Sequence, residues 1–208
     1  MAARPRAVLF DLLTALLDSG ALWDAVAGDA EKGRRWRGAY LRNTYAAGAY
    51  RPYEQLVREA ASEVGLPEIL ADRLVSGYGE LAPWPEVNEV LGALEQRVPL
   101  AVVTNCSETL GRLAADRIGI AFDVVVTAER AGYYKPHARP YKLALQALGE
   151  TAEAVLFVAG SPYDLFGATA IGMPVFWHNR RRMTAPPGAP APLAQHDNLY
   201  ALLQMVIR

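Results

Sequence analysis

The hydrophobic pattern of the chain falls into short apolar runs separated by helical stretches. Four runs dominate: Ala7-Val8-Leu9-Phe10, Leu100-Ala101-Val102-Val103, Val124-Val125-Val126 and Val155-Leu156-Phe157-Val158. A fifth, Pro174-Val175-Phe176-Trp177, is weaker. They are β-branched or aromatic with little polar alternation, which predicts strands buried on both faces of a parallel sheet. Between them, residues 86–96 place Val87, Val90, Leu91 and Leu94 at helical spacing, and residues 110–118 and 140–148 repeat the pattern. Strand followed by helix followed by strand predicts an α/β fold with a doubly wound parallel sheet.

The gap between the first two runs is far longer than a crossover connection needs. Within it the spacing predicts helices near 21–30, 34–45, 53–64 and 68–78. We expect residues 18–82 to form an inserted helical cap domain, closed by the turn-like Ala82-Pro83-Trp84-Pro85. Residues 1–17 and 83–208 then make the core domain. A Pro-rich loop over 186–192 precedes a last helix around 198–207, and no internal repeat is visible.

Composition narrows the class. The chain is 52% hydrophobic and 21% charged, which excludes bulk disorder. Lys plus Arg (21) nearly balances Asp plus Glu (22), so no strong field toward nucleic acid or an anionic membrane follows. The apolar runs stop short of a membrane span, and an early Asp makes the N-terminal segment unlike a secretory signal. The single cysteine allows neither an internal disulfide nor a cysteine-based zinc site. The expectation is a cytoplasmic globular protein.

The main runs end in, or shortly precede, residues able to do chemistry. Asp11 follows the first, Thr104 and Asn105 the second, Lys135 the third, Ser161 and Asp164 the fourth. Ligands of open α/β sheets bind beyond the carboxyl ends of the strands, so these groups are expected in one crevice. Singly, each has a plainer reading as a turn, helix cap or loop residue. Together they make a coherent site for a small-molecule substrate. Asp11 can attack an electrophilic carbon or phosphorus. Lys135 would keep it ionised. Thr104 and Asn105 can hydrogen-bond an anionic group. Asp164 can hold Lys135 or help activate water.

In these segments the chain resembles the haloacid dehalogenase superfamily of hydrolases, over nearly its whole length. Residues 7–19, AVLFDLLTALLDS, resemble the first motif, FDxDGTLxDS. Residues 101–107, AVVTNCS, resemble the second. Residues 134–141, YKPHARPY, resemble the third, and residues 155–173, VLFVAGSPYDLFGATAIGM, the fourth. The inserted helices stand where that family carries its cap. The resemblance implies an aspartyl-ester intermediate on Asp11.

The departures sharpen the assignment. Phosphatases of the superfamily carry a second Asp two residues after the nucleophile, where this chain has Leu13. Leucine cannot protonate a leaving group. Ala159-Gly160 replaces their Gly-Asp, leaving Asp11 and Asp164 as carboxylates for, at most, weak Mg²⁺ binding. The 2-haloacid dehalogenase branch also lacks the second Asp and uses no metal, and several further segments are similar to it. Trp36-Arg37 resembles the branch's cap pair, whose Arg meets halide and substrate. Lys135 and Tyr141 keep its Lys-to-Tyr spacing, and the resemblance implies Tyr141 and Ser161 among the substrate-binding residues. Trp177-His178-Asn179-Arg180 resembles its Trp-x-Asn-Arg, and Asp164 matches the Asp of its fourth motif.

Two departures from the branch remain. Its Gly-Thr is Thr14-Ala15 here, so Ala15 lacks a hydroxyl that would bond the nucleophile, and Thr14 lies one position early. Its Ser-Ser-Asn is Ala159-Gly160-Ser161. These losses leave three outcomes open on the sequence alone: relaxed specificity, slowed ester hydrolysis or no turnover. A catalytically impaired binding or regulatory protein and an atypical Mg²⁺-dependent phosphatase are therefore the competing readings. A phospho-receiver domain fits poorly, because the helical insert is long and the acidic pair near the start is missing.

Other residues carry plainer expectations. Asp18 is expected to cap the next helix. Arg34 and Arg35 read as a solvated face, Arg37 as a candidate to reach the site, and Trp36, Tyr40 and Tyr45 mostly as packing. Cys106 reads as a buried inert thiol. His137, His178 and His196 have no metal-ligand spacing and read as loop or surface residues. A homodimer is compatible with the resemblance, but nothing in the sequence requires it.

Overall fold

The structure is a computed structural model that describes residues 4–207. Residues 1–3 and 208, the ends of the expected core unit, lie outside the described residues. In chain order, β1 (Ala7–Asp11) is followed by α1 (Ser19–Ala27), α2 (Ala30–Ala46), α3 (Tyr53–Glu63) and α4 (Ile69–Ser76). A 3-10 turn over Gly77–Glu80 leads back to α5 (Val87–Leu94) and β2 (Leu100–Thr104). Then come α6 (Glu108–Asp116), β3 (Val124–Thr127), α7 (Ala128–Ala131), α8 (Ala138–Leu148) and β4 (Val155–Ala159). The chain ends with α9 (Asp164–Ala170), β5 (Val175–His178), β6 (Ala194–His196) and α10 (Tyr200–Ile207).

The sheet is parallel throughout, in the order β3-β2-β1-β4-β5-β6. Every residue of β1, β2 and β4 is buried, which is why these segments read as unbroken apolar runs. Successive side chains alternate between two cores. Val8, Phe10, Val102 and Val158 face one; Leu9, Val103, Phe157 and Ala159 face the other. The inserted helices join the first core through Trp36, Tyr53 and Leu56.

Several elements differ from the expected layout. β6 is three residues long, mostly exposed and preceded by the Pro-rich loop, so it leaves no periodic signal. It pairs with β5 and covers that strand's edge, which leaves β5 fully buried. α9 is seven residues long and begins at Asp164, too short for helical periodicity to show. The first inserted helix also ends earlier than its spacing implies. Asp29 interrupts it and caps α2, accepting from Glu31 N (2.6 Å) and Lys32 N (3.0 Å).

The chain leaves and re-enters the sheet layer side by side. Leu17 bridges Pro83, Asp18 N donates to Ala82 O (3.0 Å), and Trp84 N donates to Leu16 O (3.0 Å). Asp18 caps α1 through Ala21 N (3.1 Å) and also pairs with Arg181. Strand order reverses about β1, whose neighbours are β2 on one side and β4 on the other. The crevice outside such a switch point is where ligands of these sheets bind. Asp11, the last residue of β1, stands at it.

Candidate active site

Three donors converge on one oxygen of Asp11. Oδ2 accepts from Thr14 N (3.0 Å), from Ala15 N (3.1 Å) and from the Thr14 hydroxyl. The expectation that the hydroxyl is lost with Ala15 is therefore corrected: Thr14, one position early, supplies it. The reason lies across the sheet edge. A Cβ on Gly160 would stand inside contact distance of Ala15 N and the Thr14 carbonyl carbon and hydroxyl. Glycine there lets the turn after Asp11 lie directly on the end of β4, and this path aims Thr14 at the carboxylate. The two departures at Thr14-Ala15 and Gly160 thus fit each other.

The other oxygen, Oδ1, accepts from Lys135 Nζ at 2.7 Å. Lys135 also reaches Asp164 Oδ2 at 3.2 Å, and only 4% of it is exposed. Its backbone is held by one side chain. Asn105 accepts from Lys135 N (2.7 Å) and donates to Lys135 O (3.1 Å). Asp164 opens α9, and Tyr141 Oη donates to its Oδ1 at 2.6 Å. A Cβ on Gly167 would stand 2.5 Å from Pro136 O and 2.7 Å from the Tyr141 ring, so glycine there lets α9 close onto the lysine loop.

These contacts push the two carboxylates apart. Burial alone would raise Asp11, but Lys135 and the Thr14 donors outweigh it and hold Asp11 below the ordinary carboxylate range. Burial raises Asp164, and the neighbouring Asp11 charge adds to it against the pull of Lys135 and Tyr141. Burial also works against the charge on Lys135. The flanking Asp11 and Asp164 prevail, so Lys135 lies above its usual value and stays an ammonium. Two carboxyls of unlike proton affinity beside a fixed cation is how nucleophile and base roles are separated in one site.

Above this trio lies a cavity of about 50 Å³. On the same measure a single water needs roughly 10–15 Å³, so a molecule of a few heavy atoms fits. Asp11, Thr14, Asn105, Lys135, Ser161 and Asp164 form its polar floor. Its roof comes from the inserted helices: Trp23, Arg37, Tyr40, Leu41, Tyr45 and Tyr53. Tyr40 is tied to the floor, its hydroxyl donating to Asn105 O at 2.9 Å. The Arg37 guanidinium faces this space without an ion pair or hydrogen bond among the described residues. Burial and the nearby Arg181 charge depress its proton affinity. A cation left unpaired beside an apolar wall suits an anionic ligand.

Two residues expected to touch substrate do not line this cavity. Thr104 is fully buried at the end of β2, with its hydroxyl turned to Cys106 Sγ (3.6 Å). Tyr141 is fully buried behind Asp164 and reaches the site only through it. Trp36 packs inside the helical layer, donating to Val57 O (2.9 Å). His178, expected at the surface or in a loop, is fully buried. It closes β5, directly after Trp177, and the apolar run that it ends was the available signal of burial. His137 caps α8 and His196 is exposed. The roof residues Trp23 and Leu41 carry no motif, and nothing in the sequence pattern singled them out.

The sequence matches the haloacid dehalogenase-like hydrolase family over residues 5–172. The haloacetate dehalogenase H-2 of Moraxella sp. (strain B) is 31% identical over 191 residues, covering 84% of this chain and 85% of that protein. The (S)-2-haloacid dehalogenase H-109 of Pseudomonas putida is 31% identical with the same coverage. A dehalogenase solved as an intermediate complex superimposes with a TM-score of 0.87 over 100% of both chains, at 26% identity. The chain belongs to the haloacid dehalogenase-like hydrolases.

Proposed function

We propose that this protein hydrolyses small 2-haloacids through an ester on Asp11, with residues 18–82 acting as a cap over the core. The observation that carries the reading is the asymmetric setting of Asp11: among the described residues Oδ2 is held by three donors while Oδ1 meets only Lys135. Leu13 supplies no acid for an oxygen leaving group, whereas halide needs none. Similarity to haloacid dehalogenases supports the substrate class.

The reaction divides into two steps. Oδ1 attacks C2 of the haloacid, a C–O bond forms, and the carbon–halogen bond breaks with its electron pair leaving as halide. Arg37 faces the cavity as the cation for that halide or for the substrate carboxylate. Water then attacks the Asp11 carbonyl carbon and gives a proton to Asp164, whose raised proton affinity suits a base. Negative charge develops on Oδ2, where Thr14 N, Thr14 Oγ1 and Ala15 N already point; preorganised donors of this kind stabilise such oxyanions. Collapse breaks the Cγ–Oδ1 bond and expels the 2-hydroxyacid, its alkoxide taking the proton that Asp164 received. The second proton of the water, left on Asp11, passes to solvent, which regenerates the carboxylate with one halide and one proton released per turnover.

Asn105 acts by fixing the Lys135 peptide, and its place in the floor lets it meet the substrate carboxylate. Ser161 lines the same floor. No step is assigned to a metal: the two carboxylates that could offer weak Mg²⁺ binding each commit an oxygen to Lys135. The test is bromide release from racemic 2-bromopropionate with EDTA present. Release that Asp11→Asn abolishes supports the reading. No release from the unaltered chain, or full release from Asp11→Asn, sinks it.

A further inference from the structure

We propose that His178 is a positioning residue for Asp11, acting through the peptide groups of residues 14 and 15; this rests on the reading of Asp11 as nucleophile. His178 ends β5, two strands away from β1, and is fully buried. Its Nδ1 lies 2.7 Å from Ala15 O. A carbonyl oxygen only accepts, so Nδ1 carries the hydrogen and donates. Its Nε2 makes no close hydrogen bond among the described residues: the buried Glu86 carboxylate lies 3.6 Å away, and the Asp197 backbone is its other polar neighbour. An apolar side chain would avoid that unsatisfied nitrogen, which is costly when buried. The bond made by Nδ1 is what a histidine supplies here and a hydrocarbon does not.

A second donor grips the same turn. Trp84 Nε1 donates to Thr14 O at 3.2 Å. The Thr14 carbonyl and the Ala15 N–H belong to one peptide unit, so this bond polarises the N–H that points at Asp11 Oδ2. Trp84 is itself placed by Arg180, whose guanidinium lies 5.2 Å from the ring centre while Nη1 binds both oxygens of Glu86 at 3.2 and 3.3 Å. His178 and Trp84 thus hold successive carbonyls from behind while the front of the turn presents donors to Asp11. Gly160 closes the remaining side.

The test separates donation from mere filling of space. The amide nitrogen of asparagine stands where Nδ1 stands, so His178→Asn keeps the donor. His178→Gln sets its amide one bond further out, and His178→Leu has none. Two readouts are taken on each: halide release, and amide exchange at residues 14–16. Loss of one buried hydrogen bond predicts a fall in kcat of about tenfold for the Leu and Gln variants, with KM unchanged because Arg37 and the cavity wall are untouched. Exchange at residues 14–16 should rise by about the same factor, and the Asn variant should stay within about threefold of the unaltered protein in both. Three variants that behave alike, whether all active or all impaired, overturn the proposal. Unchanged exchange in His178→Leu overturns it irrespective of activity. If the unaltered chain releases no halide, the functional reading fails alone, and exchange still decides on the positioning. Should His178→Leu lose its cooperative melting, Trp84→Phe carries the test, since it removes the N–H bond to Thr14 O while keeping an aromatic face for Arg180. It should raise exchange at Ala15, and no rise overturns the proposal.

Discussion

Thr14 occupies the space in which Gly160 would otherwise carry a side chain. Each residue alone is a departure from the branch it resembles, and together they restore a hydroxyl to the Asp11 carboxylate. A coupling between the two positions follows. Gly160→Ser should displace the turn and lower turnover at least tenfold, since the added atoms meet backbone that cannot give way. Thr14→Gly should lose the hydroxyl together with the side-chain bulk that faces residue 160. The double variant should recover part of the stability lost by Gly160→Ser, with a coupling of about 1–3 kcal/mol by thermal or denaturant unfolding. Strict additivity in that cycle would show that the two residues do not share space.

The sheet and the helical insert were legible because buried strands and amphipathic helices leave periodic traces. Val155 to Ala159 could scarcely be read otherwise. β6 and α9 were not, since three and seven residues leave no period to detect. The site divides the same way. Asp11, Asn105, Lys135 and Asp164 meet because each follows or ends a strand that the hydrophobic pattern reveals. Position along a strand does not say which way a side chain turns. Hence Thr104 and Tyr141, expected at the substrate, lie behind the site. Thr14 and His178 were missed for a further reason. Their roles depend on the path of a turn over Gly160, which is a tertiary contact invisible to local spacing.

Arg37 carries the next prediction. Its guanidinium faces the cavity with no partner among the described residues, so its charge is available to an anion. A hydrogen bond to a charged group contributes roughly 1.5–3 kcal/mol, which corresponds to a loss of about ten- to hundredfold in kcat/KM for Arg37→Leu. Arg37→Lys should recover part of it, because a point charge replaces charge but not the planar fork. The check is steady-state halide release over a chloride, bromide and iodide series of one acid. A variant that treats all three as the unaltered protein does would remove Arg37 from the reaction.

Tyr141 and Asp164 give a pH dependence. Burial raises Asp164, and the Tyr141 hydrogen bond opposes that rise. As a base, Asp164 must be deprotonated, so activity falls as pH drops through its proton affinity, above the ordinary carboxylate range. Removing the phenol hydroxyl in Tyr141→Phe takes away a lowering influence, so the acid limb of the kcat profile should move to higher pH. Tyr141 does not line the cavity, so KM should hold. A limb that stays in place, or moves down, would detach Asp164 from the base role.

Cys106 completes the set through the reactivity of the proposed substrates. α-Haloacids alkylate thiolates, and the only cysteine in the chain lies beside the site, following Asn105. It is fully buried among Thr104, Tyr53 and Tyr78, and burial pushes its thiol up to about 12 despite bonds from Thr104 and Tyr78 that pull the other way. At neutral pH almost none is thiolate, which is the reactive form. The native protein should therefore turn over iodoacetate without being carboxymethylated at Cys106, while unfolding in denaturant should expose the thiol to rapid alkylation. Intact-mass measurement before and after turnover reads this directly. A single carboxymethyl group on Cys106 of the native protein at neutral pH would mean that the thiol samples the cavity, and that the wall formed by Tyr53 and Tyr78 opens during the reaction.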